Sequence, residues 1–176
     1  MGVYIALLRG VNLGGHRKVP MAELRALAQE LGYARVRTYI QSGNLIFQSD
    51  KAARALQGEL EQAIAGRFGC DVPVAIRTPG EIEAVLREAP FEDADGAVVY
   101  VFFAVEEPAA QRVREIPQAL PSTEDECRAA ASHVYVRYHH GVHLSPLSNT
   151  WLERRLGVPL TARSISTVRR LLEMAR

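Results

Sequence analysis

The first third of the chain alternates between short apolar runs and a helical repeat. Val3–Leu8 is a continuous apolar run, which is typical of a strand buried on both faces. Apolar residues then recur at helical spacing over Met21–Leu31, and Gly32 is a typical residue to end that helix. Arg35–Ile40 alternates polar and apolar positions, as a strand with one solvated face does. The pattern therefore begins with strand, helix and strand.

A third strand, a second helix and a fourth strand follow. Leu45–Phe47 is a buried apolar run that comes after the turn Gln41–Asn44, where glycine and asparagine tolerate positive φ. The next helix has an apolar face of four residues at helical spacing, namely Leu56, Leu60, Ile64 and Phe68. Val72–Ile76 is then a strand, and Pro73 assigns it to a sheet edge because proline cannot donate to the ladder.

This order of elements predicts an α+β protein that begins with a ferredoxin-like β-α-β-β-α-β unit over residues 1–90. Such a unit orders its strands 4-1-3-2, with the first and third strands in the centre. The continuous apolar runs are the first and third strands, whereas the alternating strand and the proline-containing strand are the second and fourth. This agreement between pattern and topology supports the assignment.

Residues 91–176 show a less regular pattern. Ala97–Ala104 is a strong buried strand, and Cys127–Ala131 with His133–Tyr138 indicates a strand pair. A helix is predicted at Thr78–Arg87, before this half begins, and further helices are predicted after Pro108, from Ser148 or Asn149 to Gly157, and around Ile165–Leu172. We interpret this half as a second, incomplete ferredoxin-like unit that lacks its fourth strand. The boundary is expected in Pro90–Gly96, and the two subdomains are expected to pack as one compact protein.

Composition narrows the class of protein. Of 176 residues, 48% are apolar and 23% are charged, which is typical of a globular chain that needs neither metals nor disulfides to form a core. The net charge of +1 argues against a dedicated polyanion binder. Cys70 and Cys127 are far apart in sequence, which indicates free thiols in a reducing compartment. Since no signal peptide or membrane-spanning run is found, we expect a cytoplasmic protein without membrane association. We expect no cofactor.

Several motifs carry a resemblance to a known family. They are Leu7–Gly15, Lys18–Met21, Thr38–Asn44 and Thr161–Thr167. In these segments the chain resembles an uncharacterised bacterial family known as domain of unknown function 1697, and the resemblance covers essentially the whole chain. The chain departs from the family pattern at His16, where the family usually has lysine, and at Ser164, where it has asparagine. The resemblance implies a paired α/β fold and no known activity.

The predicted topology brings two polar segments to the same end of the first sheet. One is the loop Arg9–Lys18, which is rich in glycine and positive charge and precedes a helix that begins near Pro20. Its glycines can turn backbone N–H groups towards one point, as anion-binding nests do, and the helix start adds partial positive charge. The other segment is the turn Gln41–Asn44. We therefore expect an anionic small ligand, a nucleotide or phosphate ester, to bind between them.

Each predicted ligand-binding residue has a chemical role. Arg9 offers a bidentate fork for phosphate or carboxylate, and Lys18 offers a point charge. Arg163, assigned to the opening of the last helix, is a candidate second anion contact. The other candidates supply backbone N–H groups or polar side chains: Gly10, Asn12, Gly14, Gly15, Gln41, Ser42, Gly43 and Asn44. A structural alternative stays open, in which glycines only make turns, Arg9 pairs with Asp71, and Asn44 fixes the hairpin.

Sequence context favours structural roles for the other reactive side chains. His133, His139, His140 and His143 cluster in a strand and turn, but no acidic residue is close in sequence, which favours a solvated hairpin tip over a metal site. Cys70 is more typical of a buried thiol than of a nucleophile. The predicted pocket has no clear nucleophile or general base, so the sequence does not establish catalysis.

Two other functions stay open beside small-ligand binding. The first is a protein-interaction or assembly module with a structural glycine loop. The second is binding of RNA or single-stranded nucleic acid, because RNA-recognition modules share this fold and carry stacking aromatic residues on strands one and three. Here only Tyr4 and Phe47 could stack, and the third strand lacks the basic-glycine-aromatic opening of that motif. Nucleic acid therefore ranks third, and the oligomeric state is not indicated.

Overall fold

Two four-stranded antiparallel sheets organise the residues that the computed structural model describes, 1–94 and 96–176. These residues divide into two compact units. The first unit consists of Met1–Ala84 together with Arg170–Arg176, and the second consists of Val85–Arg169. The predicted boundary Pro90–Gly96 includes Asp95, which lies outside the described residues. No helix of the described part has the length and apolar character needed to cross a membrane.

The first sheet has the strand order that the sequence predicts. Its elements are β1 (Gly2–Leu8), α1 (Met21–Glu30), β2 (Ala34–Tyr39), β3 (Asn44–Ser49), α2 (Ala53–Phe68) and β4 (Val74–Arg77), followed by α3 (Pro79–Arg87). The order across the sheet is β2-β3-β1-β4. The two continuous apolar strands are therefore central, and Pro73 directly precedes an edge strand, where its missing N–H costs no ladder bond.

The core of the first unit explains why β1 and β3 are apolar. Strand side chains alternate between faces, so Ala6 and Leu8 of β1 and Phe47 of β3 share the face that packs against the helices. Ile5 and Ile46, on the opposite face, are also buried. Each fully buried aliphatic or aromatic side chain contributes roughly 1.5–3 kcal/mol. The end of β1 is therefore anchored in this core, and the candidate loop begins at the next residue, Arg9.

The second unit repeats this order of elements. They are β5 (Val98–Ala104), α4 (Ala110–Ala119), β6 (Glu126–Ala129), β7 (His133–Tyr138), α5 (Asn149–Leu156) and β8 (Leu160–Ser164). The last helix, α6 (Ile165–Ala175), begins in this unit, and its residues from Arg170 onwards belong to the first unit. The order across the sheet is β6-β7-β5-β8. The Ser148 hydroxyl accepts the Trp151 N–H at 3.1 Å and thereby caps α5, as one of the two predicted caps.

The structure corrects the prediction that the second unit lacks a fourth strand. β8 pairs with β5, and Tyr100 lies opposite Ser164 in this ladder. The sequence pattern hides β8 because polar residues occupy two of its buried positions, Thr161 and Arg163. A five-residue strand with buried polar side chains has neither the continuous nor the alternating apolar signal on which strand prediction depends.

Candidate functional site

The structure brings together the two segments that the sequence places at the same end of the first sheet. The Leu8 N–H donates to the Gly43 carbonyl at 2.8 Å, and the Asn12 side-chain Nδ2 donates to the Gln41 carbonyl at 2.7 Å. The Arg9 N–H donates to the Pro73 carbonyl at 2.9 Å, so the residue before β4 lies at this end as well. Loop and turn therefore form one continuous surface region.

The loop Arg9–Lys18 folds as a tight hairpin, which we call the basic hairpin. The His16 N–H donates to the Leu13 carbonyl at 3.1 Å, and the two residues between them, Gly14 and Gly15, have φ of +56° and +82°. Positive φ at both central residues is the mark of a type I′ turn, which favours glycine. These two glycines are thus required by the turn, whether or not a ligand binds.

Asn12 fixes the base of the basic hairpin. Its Nδ2 donates to the carbonyls of Val19 and Gln41, at 2.9 and 2.7 Å, and its Oδ1 accepts the Val19 N–H at 2.9 Å. Asn12 has φ of +57°, a conformation that asparagine tolerates better than most residues. Both side-chain N–H protons of Asn12 form hydrogen bonds within the protein, so this side chain stabilises the conformation of the hairpin.

Residues of the turn before β3 also form internal hydrogen bonds and close packing contacts. Asn44 is fully buried, and its Nδ2 donates to the Tyr39 carbonyl and to the Ser42 hydroxyl, both at 2.9 Å. Gly43 has φ of +83°, and a Cβ there would lie 2.7 Å from side-chain atoms of Leu8 and Val11. Asn44 therefore fixes the β2–β3 turn, as the structural alternative expects. The side chain of Gln41 is exposed and that of Ser42 is half-buried.

Positive charge is concentrated on the basic hairpin. The segment contains Arg9, His16, Arg17 and Lys18 and no acidic residue. Arg17 Nη1 lies 3.4 Å from the point that a Cβ on Gly10 would occupy, so the absent side chain leaves room for the guanidinium beside the backbone. His16 and Lys18 are exposed, whereas both arginines are half-buried. A cluster of one sign raises the local concentration of oppositely charged ligands.

Backbone donors are available at the same place. Gly14 and Gly15 are exposed, and within the described residues their N–H groups bond no protein acceptor. The N-cap of α1 is Pro20, which provides no side-chain cap, so the first turn of this helix keeps its partial positive charge. Glu23 in that first turn offsets part of it. The hairpin tip is thus the most accessible source of anion-binding groups in this region.

Arg163 belongs to the second unit, unlike the other ten candidates, and lies on β8 rather than at a helix start. Its side chain is buried, and Nη1 donates to the Thr161 hydroxyl at 2.7 Å and to the Ala162 carbonyl at 2.8 Å. Burial lowers the pKa of Arg163 to about 10, so the guanidinium stays charged at neutral pH. Ser164 accepts the Thr167 N–H at 3.3 Å and so retains the capping role.

The histidine cluster has acidic partners that sequence proximity did not reveal. His139 Nε2 lies 3.2 Å from Glu126 Oε2, and His140 Nε2 lies 2.6 Å from Glu124 Oε2. The β6–β7 pairing brings these acids beside the histidines from more than ten residues upstream. Throughout the described part of the chain, no three His, Cys, Asp or Glu residues are arranged to hold a metal ion. The sequence feature that could have revealed these partners is the acidic run Glu124–Glu126. It lies at the start of the strand that pairs with the strand leading to the histidines.

Of the aromatic residues considered for stacking on nucleic acid, Phe47 lies in the core and Tyr4 is partly buried against it. Phe47 is fully buried and stacks on Tyr33, with ring centroids 4.4 Å apart. Tyr4 pairs with Phe47 across the strands, and their centroids are 6.0 Å apart. Both rings therefore pack on the face of the sheet that contacts the helices.

Both cysteines are free thiols and half-buried. Cys70 packs against the core of the first unit. Burial raises the pKa of Cys127 to about 12, which keeps this thiol protonated and unreactive at neutral pH. The packing of Cys70 against the core is compatible with the structural role that the sequence favours for it.

Comparisons with known proteins show a family and a fold. Residues 1–135 match the family described as "Protein of unknown function (DUF1697)". The chain is similar to the solved structure of conserved bacterial protein SP0830 from Streptococcus pneumoniae, with a TM-score of 0.77 and 23% identity over 99% of this chain and 98% of that chain. At this identity the likeness shows the fold alone. No curated protein matches the chain.

Proposed function

Since the chain belongs to the DUF1697 family, whose description assigns no activity, we propose a function from the basic hairpin itself: binding of a small anionic ligand, a nucleotide or another phosphate ester. The observation that carries the proposal is the composition and geometry of this one segment. Four basic side chains and two accessible glycine N–H groups are present on a hairpin without any acid. Such a set favours phosphate over neutral ligands.

Each group of the basic hairpin contributes differently to anion binding. Arg17 offers a planar fork that can bind two phosphate oxygens, and Lys18 adds a strongly hydrated point charge. The N–H groups of Gly14 and Gly15 donate without any rotamer cost. Arg9, Gly10, Gln41 and Ser42 border the same region and complete the proposed lining, together with the backbone of Gly43. In the second unit, Arg163 is proposed separately as an anion contact and forms no part of this lining. The side chains of Asn12 and Asn44 contribute by keeping the backbone in position.

Three further inferences accompany this proposal. We infer that each unit is ferredoxin-like, because each carries the strand order that defines that topology. We infer that the chain comprises two subdomains that divide near residue 90. We also infer a cytoplasmic location, which the two free thiols support.

Thermal unfolding in the presence of anions tests the proposed function. Inorganic phosphate, ribose 5-phosphate and the four nucleoside monophosphates are each titrated, since a ligand that binds only the folded state stabilises it by about 2.7 kcal/mol at 100 times its Kd. Arg17→Gln and Lys18→Gln should each weaken binding about tenfold, because each removes a charge-assisted hydrogen bond worth about 1.5 kcal/mol.

The matched control is Arg54→Gln, which removes the same charge from an exposed position on α2. This variant should bind like the native protein. The proposed function is wrong if no anion raises the melting temperature, or if Arg54→Gln weakens binding as much as Lys18→Gln does. A purely electrostatic polyanion binder would instead show a steep loss of affinity with salt and little effect of any single substitution.

A further inference from the structure

Large apolar side chains are exposed beside the basic hairpin. Leu13, which precedes the Gly14-Gly15 turn, is 66% exposed, and Ile40, which begins the turn before β3, is 49% exposed. Their chain neighbours Asn12 and Gln41 are joined by the 2.7 Å hydrogen bond between Nδ2 and the carbonyl. The surface that presents positive charge therefore also presents apolar area from both of its segments.

Ile40 is unusual in its backbone as well as in its exposure. Its φ is +47°, in the left-handed region that β-branched residues rarely adopt and that glycine, asparagine or aspartate adopts easily. Burial does not compensate for this strain, because half of the side chain faces solvent. Neither local preference nor packing thus accounts for isoleucine at this position. Positions that violate local rules in this way are expected at functional sites.

We infer that the ligand carries an apolar, planar group beside its phosphate, as a nucleotide does. This inference rests on the proposed function. Leu13 and Ile40 contact the base, while Arg17, Lys18 and the glycine N–H groups hold the phosphate. Ligand sites generally combine apolar contact area with a few placed polar groups. Inorganic phosphate or a sugar phosphate would leave both apolar side chains in water and would gain nothing from them.

Calorimetric titration of the full chain separates the base from the phosphate. Ribose 5-phosphate and inorganic phosphate measure the anion alone, and the four nucleoside monophosphates measure anion and base together. At least one nucleotide should bind about tenfold more tightly than ribose 5-phosphate, because contact with the base removes additional apolar area from water. Leu13→Ser and Ile40→Gly should abolish this preference and leave the affinity for ribose 5-phosphate unchanged.

Ile40→Gly also distinguishes function from folding. Glycine relieves the left-handed strain, so this variant should melt at the same temperature as the native protein or higher, and a loss of nucleotide affinity cannot then be assigned to unfolding. Leu144→Ser is the control, because Leu144 is 79% exposed in the second unit and its replacement should leave all affinities unchanged.

The outcomes separate the two proposals. Equal affinity for ribose 5-phosphate and for every nucleotide overturns the inference and leaves anion binding standing. A nucleotide preference that survives both substitutions overturns the assignment to Leu13 and Ile40. Absence of binding to any of the anions overturns the proposed function and the inference together.

Discussion

The two units place equivalent hydrogen bonds where their first strands end. In the first unit, the N–H of Leu8 donates to the carbonyl of Gly43 in the β2–β3 turn, at 2.8 Å. In the second unit, the N–H of Ala104 donates to the carbonyl of Ser132 in the β6–β7 turn, at 3.0 Å. The same corner is thus built twice, although the sequence shows no close internal repeat.

The next residue of each unit continues the correspondence. The Arg9 N–H donates to the Pro73 carbonyl at 2.9 Å, and the Val105 N–H donates to the Pro159 carbonyl at 3.0 Å. Each proline directly precedes the fourth strand of its unit. The backbone that emerges from the central strand is therefore held on both sides in the same way in each unit.

A glutamate on the second helix of each unit completes the likeness. Glu61 of α2 accepts the N–H of Val74, the first residue of β4, at 2.9 Å. Glu153 of α5 accepts the N–H of Leu160, the first residue of β8, at 2.8 Å. In both cases a carboxylate satisfies a buried donor at the start of an edge strand, which would otherwise be costly.

The units differ in the connection that leaves this shared corner. The first unit connects β1 to α1 through Arg9–Pro20, which contains the basic hairpin, whereas the second connects β5 to α4 through the short Val105–Ala109, which contains Glu106 and Glu107. The common hydrogen bonds belong to the scaffold because both units need them. The basic hairpin occurs in one unit alone, so it is the better candidate for function.

The largest expected effect concerns the corner of the first unit. Gly43→Ala should lower the free energy of unfolding by about 3 kcal/mol, because it adds left-handed strain and forces Cβ against Leu8 and Val11. Urea unfolding followed by circular dichroism measures the loss. Gly15→Ala is the control, since it has positive φ but no atom within 4 Å of the new Cβ, and should cost about 1 kcal/mol. Equal losses would show that packing at Gly43 is unimportant.

The paired glutamates should contribute equally if the two corners are equivalent. Glu61→Ala and Glu153→Ala should each destabilise the protein by about 2 kcal/mol, because each leaves a buried strand N–H without its acceptor. Glu→Gln at either position retains Oε1 as an acceptor and should cost less than half as much. Hydrogen exchange at Val74 and Leu160 follows each unit separately. Faster exchange in only one unit would show that the two corners are not equivalent.

A smaller effect is expected for the base of the basic hairpin. Asn12→Asp keeps the acceptor for the Val19 N–H but loses both donors, so we expect about 1 kcal/mol of destabilisation and faster amide exchange over Gly14–Lys18. Exchange in the second unit should not change. Gln41→Ala is the control, because it retains the carbonyl that Asn12 uses. Unaltered exchange in the hairpin would mean that Asn12 does not hold it.

The smallest effect concerns pH in the second unit. Burial alone would raise the pKa of Asp125, but hydrogen bonds from the Ser145 hydroxyl, the His139 N–H and the Thr123 hydroxyl outweigh it and hold that pKa below its ordinary value of 3.8. The ionised carboxylate therefore stabilises the fold above that value, and the contribution is lost as pH falls through the lower, folded-state pKa.

Asp125→Asn should accordingly be less stable than the native protein at pH 6, and the difference should shrink as pH falls below about 4. Unfolding free energies between about pH 2 and pH 6 measure this. A constant difference across that range would show that the Asp125 carboxylate does not titrate in the way its hydrogen bonds predict.

Sequence pattern predicted the first sheet well because its information is local. The runs Val3–Leu8 and Leu45–Phe47 are apolar at every position, so each demands burial on both faces and a central place in the sheet. The nearness of the loop Arg9–Lys18 to the turn Gln41–Asn44 resulted from that topology. The pattern could not predict which polar groups would form hydrogen bonds within the folded protein.

The amino-acid sequence by itself determined the helices, most of the strands and the position of a basic, glycine-rich segment, because apolar periodicity and turn chemistry depend on neighbouring residues. Only the tertiary structure decided that β8 exists, that the Asn12 and Asn44 amides bond the backbone, and that Glu124 and Glu126 meet His140 and His139. Apart from the bonds of Asn12 to Val19 and of Asn44 to Tyr39, which are local, these features pair residues that are distant along the chain. Their partners are selected by strand register and close packing, which leave no periodic trace in the sequence.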